Sequence, residues 1–167
     1  MKTGNLFPRP NCDFEYFKPT KIKELLTSNS VSPQKKWGQN FLIDPNVIQL
    51  ILSEFPDMDL PIDSIGEIGP GLGALTHRLA LSDYPILLFE IDPFFCKFLA
   101  SQNYFSNEKH AIISGDVLEN FGILSKRKVF LFGNLPYYMT SEIITSILKK
   151  LPFFRGGVFM VQKEFDF

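Results

Sequence analysis

Cysteine and histidine are scarce in this chain: among 167 residues there are two Cys, Cys12 and Cys96, and two His, His77 and His110. The cysteines are far apart and neither has a CxxC partner, so a disulfide framework is excluded and no metal is expected. No run approaches the roughly 18 apolar residues that a membrane helix needs. Residues 1–12 lack the apolar core of a signal peptide, so a cytoplasmic protein with no membrane partner is expected. Charge of one sign is not in excess either, with 17 Lys+Arg against 18 Asp+Glu. The 45% apolar and 14% aromatic content excludes a wholly disordered chain and fits one globular domain. A chain of this length buries roughly two thirds of its unfolded surface, enough for one core and not for two comfortable domains.

The charge balance conceals an asymmetry. Residues 1–40 hold seven basic side chains (Lys2, Arg9, Lys18, Lys21, Lys23, Lys35, Lys36) against three acidic ones, a net of +4, and the other 127 residues carry a net of −5. A basic arm on a mildly acidic body can follow a phosphate backbone; a solvated charged helix is the plainer alternative.

Residues 1–19 contain Pro8, Pro10 and Pro19 with no helical or strand period and read as an irregular extension. Residues 20–28 place Ile22, Leu25 and Leu26 on one helical face. Asp44-Pro45 is an N-cap followed by proline at the first helical position, and Val47, Ile48, Ile51 and Leu52 give that helix an apolar face. From residue 62 the pattern becomes short apolar runs separated by helical stretches. Strands are expected at 64–68, 86–91, 111–114, 129–132 and 157–161, with helices at 73–81, 93–101 and 140–150 and a loop or short helix at 117–126. This cadence predicts an α/β, doubly wound parallel sheet, whose ligand sits past the carboxyl ends of the strands.

The chemistry-bearing residues fall at those ends. Gly69, Gly71 and Gly73 stand between the first strand and its helix, where glycine permits positive φ and close approach of a ligand to the backbone. The spacing GxGxG departs from the dinucleotide fingerprint GxGxxG, and a tight βα corner alone also uses such glycines. Glu90, at the end of the second strand, can accept both hydroxyl hydrogens of a ribose, while Asp92 is the better placed of the two acids to cap the helix starting at Pro93. Asp116, after the third strand, can accept the amino protons of an adenine ring or serve only as a turn residue. The fourth strand ends in Asn134-Leu135-Pro136-Tyr137, the most specific feature. The exocyclic nitrogen of adenine is a poor nucleophile because its lone pair is shared with the ring. The Asn134 amide oxygen and the Leu135 carbonyl can accept its two hydrogens, Pro136 fixes the turn, and Tyr137 offers a stacking face. The bland alternative is a capped strand end with a buried tyrosine. Positioning and hydrogen bonding then carry most of the catalysis of a methyl transfer. Elsewhere, Lys126-Arg127-Lys128 can meet phosphates or be an ordinary exposed loop, and His77 and His110 are expected to face solvent.

Taken together, KKWGQNFLID, EIGPGLGALT, FEID, SGD, FGNLPYYMTS and VFMVQKE closely resemble the small-subunit ribosomal RNA adenine N6,N6-dimethyltransferases, over residues 20–164. The resemblance implies a Rossmann-like class I methyltransferase sheet, S-adenosylmethionine as methyl donor, and two adjacent adenosines near the 3′ end of the small-subunit rRNA as acceptors during ribosome biogenesis. It places cofactor contacts on Asn40, Leu42, Gly69, Glu90, Asp116 and Asn134, and target-base contacts on Asn134, Leu135, Pro136 and Tyr137. The implied organisation is an N-terminal extension over 1–34 and a cofactor-binding domain over 35–167, with the family's last two strands and small helical domain missing after Phe167. The strand at 157–161 would then be an uncovered, association-prone edge, although the full-length family is expected to be monomeric. Two alternatives accompany this reading: an inactive remnant or RNA-binding, ribosome-assembly module that keeps the cofactor pocket, and a large-subunit rRNA adenine methyltransferase.

Overall fold

The computed structural model describes Phe7 and residues 14–31, 41–56, 60–105 and 108–161. Five parallel strands form one sheet: β1 (Ser64–Ile68), β2 (Ile86–Glu90), β3 (Ala111–Ser114), β4 (Val129–Asn134) and β5 (Phe154–Met160), in the order β3-β2-β1-β4-β5. Chain order therefore reverses beside β1, between β2 on one side and β4 on the other. That is the switch point at which α/β sheets open a crevice.

Alternation along the strands explains the two covered faces. Ile65, Ile86, Leu88, Phe130 and Phe132 point to one side, where they pack with α2 (Pro45–Ser53), α3 (Thr76–Leu79) and Leu99 of α4 (Pro93–Ala100). Leu87, Phe89, Val129 and Leu131 point to the other and meet Val117 of α5 (Val117–Asn120), Phe121 and Leu124 of the 3-10 turn after it, and Ile143 and Ile147 of α6 (Thr140–Lys150). Strands buried on both faces read as near-continuous apolar runs, which is why β2 and β4 stand out in the sequence. Each such side chain removed from water contributes about 1.5–3 kcal/mol.

Helix starts follow the local chemistry. Asp44, Asp92 and Asp116 each accept from the backbone N–H two residues on, at 2.8, 2.9 and 2.8 Å, and so cap α2, α4 and α5. Proline opens α2 and α4 at the first helical position. The expected helix over 73–81 shrinks to Thr76–Leu79, because positive φ at Gly69, Gly71 and Gly73 holds the chain in a turn up to residue 75. The last strand begins three residues before its expected start. A register irregularity opposite Val129 and Phe130 lets Gly156, at φ 150°, pass through the strand without leaving it.

Two expectations about the N-terminal part and the histidines are corrected. Residues before 20 are not merely irregular: Phe7 is buried in the core between Phe55 and Phe132, a 3-10 turn forms at Glu15–Phe17, and α1 (Pro19–Ser28) starts at Pro19. The Arg78 guanidinium donates to the Phe7 carbonyl at 2.9 Å and to Gln49 Oε1 at 3.1 Å, so burial of the first aromatic comes with hydrogen bonds to its backbone. His77 is buried rather than solvent-facing. Its ring stacks on Phe14 at 4.5 Å, and burial lowers its pKa to about 4. His110 is half-buried and accepts from the Ile86 N–H at 3.1 Å. Ile22 and Leu26 of α1 pack on Leu72 of the glycine turn and Phe95 of α4.

Candidate functional site

The glycine turn that leaves β1 is shaped by three residues at φ 68°, 56° and 82°, Gly69, Gly71 and Gly73. At Gly73 there is no room for more: a Cβ would lie 2.5 Å from Tyr104 Oη and 2.9 Å from Leu99 Cδ2. The turn is tied to the sheet by the Gly69 N–H donating to the Phe89 carbonyl at 2.9 Å. Beside it, at the carboxyl ends of β1, β2 and β4, a cleft opens whose volume is about 110 Å³, several times the roughly 10–15 Å³ that one water needs.

Leu42, Gly69, Glu90, Asp116 and Asn134 all line this cleft, so the structure brings five of the six expected cofactor contacts together. Asn40, the sixth, lies outside the described residues, as do Lys35, Lys36 and Trp37. Of the expected target-base residues, Asn134 and Pro136 line the cleft, and the Leu135 side chain is buried under β4 in the sheet's second core. Tyr137 opens a 3-10 turn, Tyr137–Met139. The backbone of this segment is pinned on both sides. The Leu135 N–H donates to the Met160 carbonyl of β5 at 3.1 Å, and the Pro136 carbonyl accepts from the Met139 N–H at 3.0 Å and the Thr140 hydroxyl at 3.1 Å. The basic run 126–128 precedes β4, at the end of that strand opposite the cleft.

Glu90 is held in a fixed pose. One carboxyl oxygen accepts from the Gly71 N–H at 3.0 Å and the other from the Asp92 N–H at 2.9 Å, which leaves each oxygen a further lone pair. Burial raises its pKa, the N–H groups of Asp92, Gly71 and Ile91 act against that rise, and the Asp92 charge adds to it. Asp92 caps α4, so the two neighbouring acids divide the tasks, one to the helix and one to the cleft.

Glu67 is the residue that sequence reasoning passed over. It lies in β1, faces the cleft, is 3% exposed, and accepts from the Thr76 hydroxyl at 2.7 Å. Burial lifts its carboxyl to about 8, the Thr76 hydrogen bond opposes the shift and the Glu90 charge adds to it. The signal was present as a lone acid within an otherwise apolar strand. Tyr16 and Phe41, also on the cleft wall, had no such signal.

The electrostatic character follows from this list. Among the described lining residues there are three carboxyl groups, Glu67, Glu90 and Asp116, and no Lys, Arg or His. Such a cleft disfavours phosphates and suits a polar ligand that carries positive charge. Among the described residues no three His, Cys, Asp or Glu side chains group as metal ligands, and no helix is long and apolar enough to cross a membrane.

A family model described as ribosomal RNA adenine dimethylase matches residues 31–166. Two relatives, both called ribosomal RNA small subunit methyltransferase A, come from Treponema denticola (36% identical, 98% of this chain and 55% of the relative) and Borreliella afzelii (34%, 91% and 53%). The chain thus spans about half the length of the curated relatives it matches. Among solved structures, a dimethyladenosine transferase from Plasmodium falciparum superposes with TM-score 0.62 at 25% identity, over 75% of this chain and 44% of that one. The 23S rRNA methyltransferase ErmE gives 0.58 at 27%, over 75% and 49%.

Proposed function

Because the chain belongs to the ribosomal RNA adenine dimethylase family, we propose that its cleft binds S-adenosylmethionine. We further propose that the chain carries the methyl-transfer site of an enzyme that dimethylates the N6 amino groups of two adjacent adenosines near the 3′ end of small-subunit rRNA. The observation that carries this reading is the shared cleft: Glu90, held by backbone N–H groups at the end of β2, and Asn134, at the end of β4 on the other side of β1, line the same cavity.

The residues present fit that cofactor. Glu90 retains acceptor capacity for the two hydroxyls of a ribose, and Asp116 stands just past the end of β3, the next strand, to accept from an adenine amino group. The glycine turn offers backbone in place of side chains, and the buried Glu67 and Glu90 carboxyls favour a cationic ligand. When bound, S-adenosylmethionine supplies an electrophilic methyl group on a positively charged sulfur.

The protein's own work is then orientation. The Asn134 amide oxygen and the Leu135 carbonyl accept the two hydrogens of the target amine, which draws its lone pair away from the ring and toward the methyl group. Pro136, whose carbonyl is held by Met139 and Thr140, keeps that pair of acceptors in register. Preorganised acceptors of this kind need no reorganisation as charge develops. No strong base is needed before attack, because the amine sheds its proton only after it has gained the methyl group.

Residues 35–167 serve as the cofactor-binding domain, and residues 1–34 are an N-terminal extension that lends side chains to its core. The partner is the immature small ribosomal subunit, met in the cytoplasm. A second reading, methylation of large-subunit rRNA, draws on the likeness to the 23S enzyme. Labelled methyl transfer from S-adenosylmethionine to under-methylated ribosomal subunits separates the two. Label in adjacent 3′-terminal adenosines of the small-subunit rRNA, reduced at least a hundredfold in Asn134→Ala while cofactor affinity falls less than tenfold, is the expected result. Label in the large-subunit rRNA instead selects the second reading, and folded protein that binds no cofactor overturns both.

A further inference from the structure

The cleft has a wall that comes from far upstream of the glycine turn. Tyr16, within the 3-10 turn Glu15–Phe17, lines the cavity together with Phe41, Leu42 and Leu72. Nothing in the local sequence places it there; tertiary packing does. Phe14 stacks on the buried His77 ring at 4.5 Å and 14°, and Phe17 meets the same ring edge-on at 5.9 Å. Tyr16 itself packs edge-on against Phe98 of α4 at 5.2 Å and against Phe14 at 5.6 Å. Three aromatic rings in four residues thus dock on α3 and α4, the helices that follow β1 and β2.

We propose that Tyr16 is a binding residue of this cleft, and that the bound ligand and the segment 14–17 hold each other in place across the glycine turn. The inference rests on the cleft being the S-adenosylmethionine site and adds to it a residue outside every motif. Three features favour a ligand contact over simple packing. Tyr16, half-buried like Phe14 and Phe17, packs not on the sheet core but on the small cluster of Ile22, Leu26, Leu72 and Phe95, of which Leu72 lines the cleft. The side chain also borders open cavity rather than filling a gap in the core. Its wall partner Phe41 stands 3.6 Å from where a Cβ on Gly71 would be, and the Gly71 N–H is the group that fixes Glu90. The Phe41 ring therefore stands beside the turn that holds Glu90, and Tyr16 shares that wall of the cleft. Aromatic rings at such a position cover the ligand and exclude water from the carboxylate beneath.

Reciprocity follows from linkage: if the ligand binds better with the segment docked, it must also favour docking. Limited chymotrypsin digestion of the chain, followed by mass spectrometry, reads docking directly at the sites after Phe14, Tyr16 and Phe17. Saturating S-adenosylhomocysteine is expected to slow cleavage at these sites at least tenfold. Calorimetric titration is expected to show Tyr16→Ala binding about tenfold more weakly than the parent, and Tyr16→Phe binding within twofold of it. Unchanged cleavage, or folded Tyr16→Ala binding within twofold of the parent, overturns the proposal. If Tyr16→Ala does not fold, the digestion of the parent protein decides alone. A parent that binds the cofactor but transfers no methyl group removes the catalytic reading and leaves this test standing. A parent that does not bind removes both.

Discussion

Replacing Glu67 by glutamine should make the protein's stability less sensitive to alkali, and the size of the effect follows from where the carboxyl sits. Its pKa is 4.5 in an ordinary setting and about 8 here, with burial as the main cause. Raised in the folded state, the group contributes stability that is fully present below pH 4.5 and is lost as pH climbs toward 8. Over that interval the unfolded chain has released its proton and the folded one has not, so the parent loses about 1.4 kcal/mol per pH unit. The total is about 5 kcal/mol at the upper end and about 3 at pH 7. His77 works in the opposite sense: lowered from 6.5 to about 4 by burial, it makes stability rise with pH between those values. The two slopes offset one another from about pH 4.5 to 6.5, so the parent alone would show little there. The difference between Glu67→Gln and the parent isolates Glu67, because His77 and Glu90 are present in both. Glutamine keeps an oxygen to accept from the Thr76 hydroxyl, so the packing offset is constant with pH. Urea unfolding of ligand-free protein at pH 5, 6, 7 and 8 measures the difference. With an m value of roughly 2 kcal/mol/M, the variant's midpoint should gain on the parent by about 0.7 M per pH unit. A difference that stays flat from pH 5 to 8 would refute the claim that this carboxyl holds its proton at neutral pH.

Two further substitutions follow from neighbouring geometry. Gly73→Ala combines φ +82° with a Cβ 2.5 Å from Tyr104 Oη, and should cost about 2–4 kcal/mol of stability together with at least a tenfold loss of cofactor affinity; unchanged thermal unfolding would contradict the geometry. His77→Phe keeps a ring against Phe14 and removes the titration, so the variant should gain on the parent by up to about 3 kcal/mol as pH falls from 6.5 to 4, followed by urea unfolding at pH 4.5 and 6.5. An equal loss in both proteins would place the histidine in solvent.

Much of the fold was legible because its logic is local. Continuous apolar runs marked β2 and β4, and Asp followed by Pro marked the starts of α2 and α4. The glycine turn, Glu90, Asp116 and Asn134 were legible for a related reason: each stands at a strand end, where the switch point of the sheet must gather them. What escaped depends on contacts between distant residues. His77 reads as a polar residue in a polar stretch until Phe14, 63 positions earlier, covers it. Phe7 has no periodic neighbours to announce burial, and its place in the core comes with a hydrogen bond from Arg78 to its carbonyl. The early start of β5 was hidden because Gly156, at φ 150° and beside an irregular register against β4, lies inside the strand just before its expected first residue.

The acid content of the cleft also separates this site from others built on doubly wound sheets. A pyrophosphate ligand needs N–H groups and cations at the glycine turn, and here the Gly71 N–H is already given to Glu90. A nucleoside with a negatively charged tail would meet Glu67, Glu90 and Asp116 with no basic lining residue among those described. Each ionised carboxylate so met is repulsive by about 3 kcal/mol at roughly 6 Å and an effective dielectric constant of 20, and Glu67, which holds its proton at neutral pH, adds to this only once it ionises. A ligand bringing positive charge reverses that sign. It also lowers the pKa of the Glu67 carboxyl that burial has raised, so binding at neutral pH releases a proton. The same burial that makes the ligand-free cleft alkali-sensitive thus prepares it for a ligand that carries positive charge.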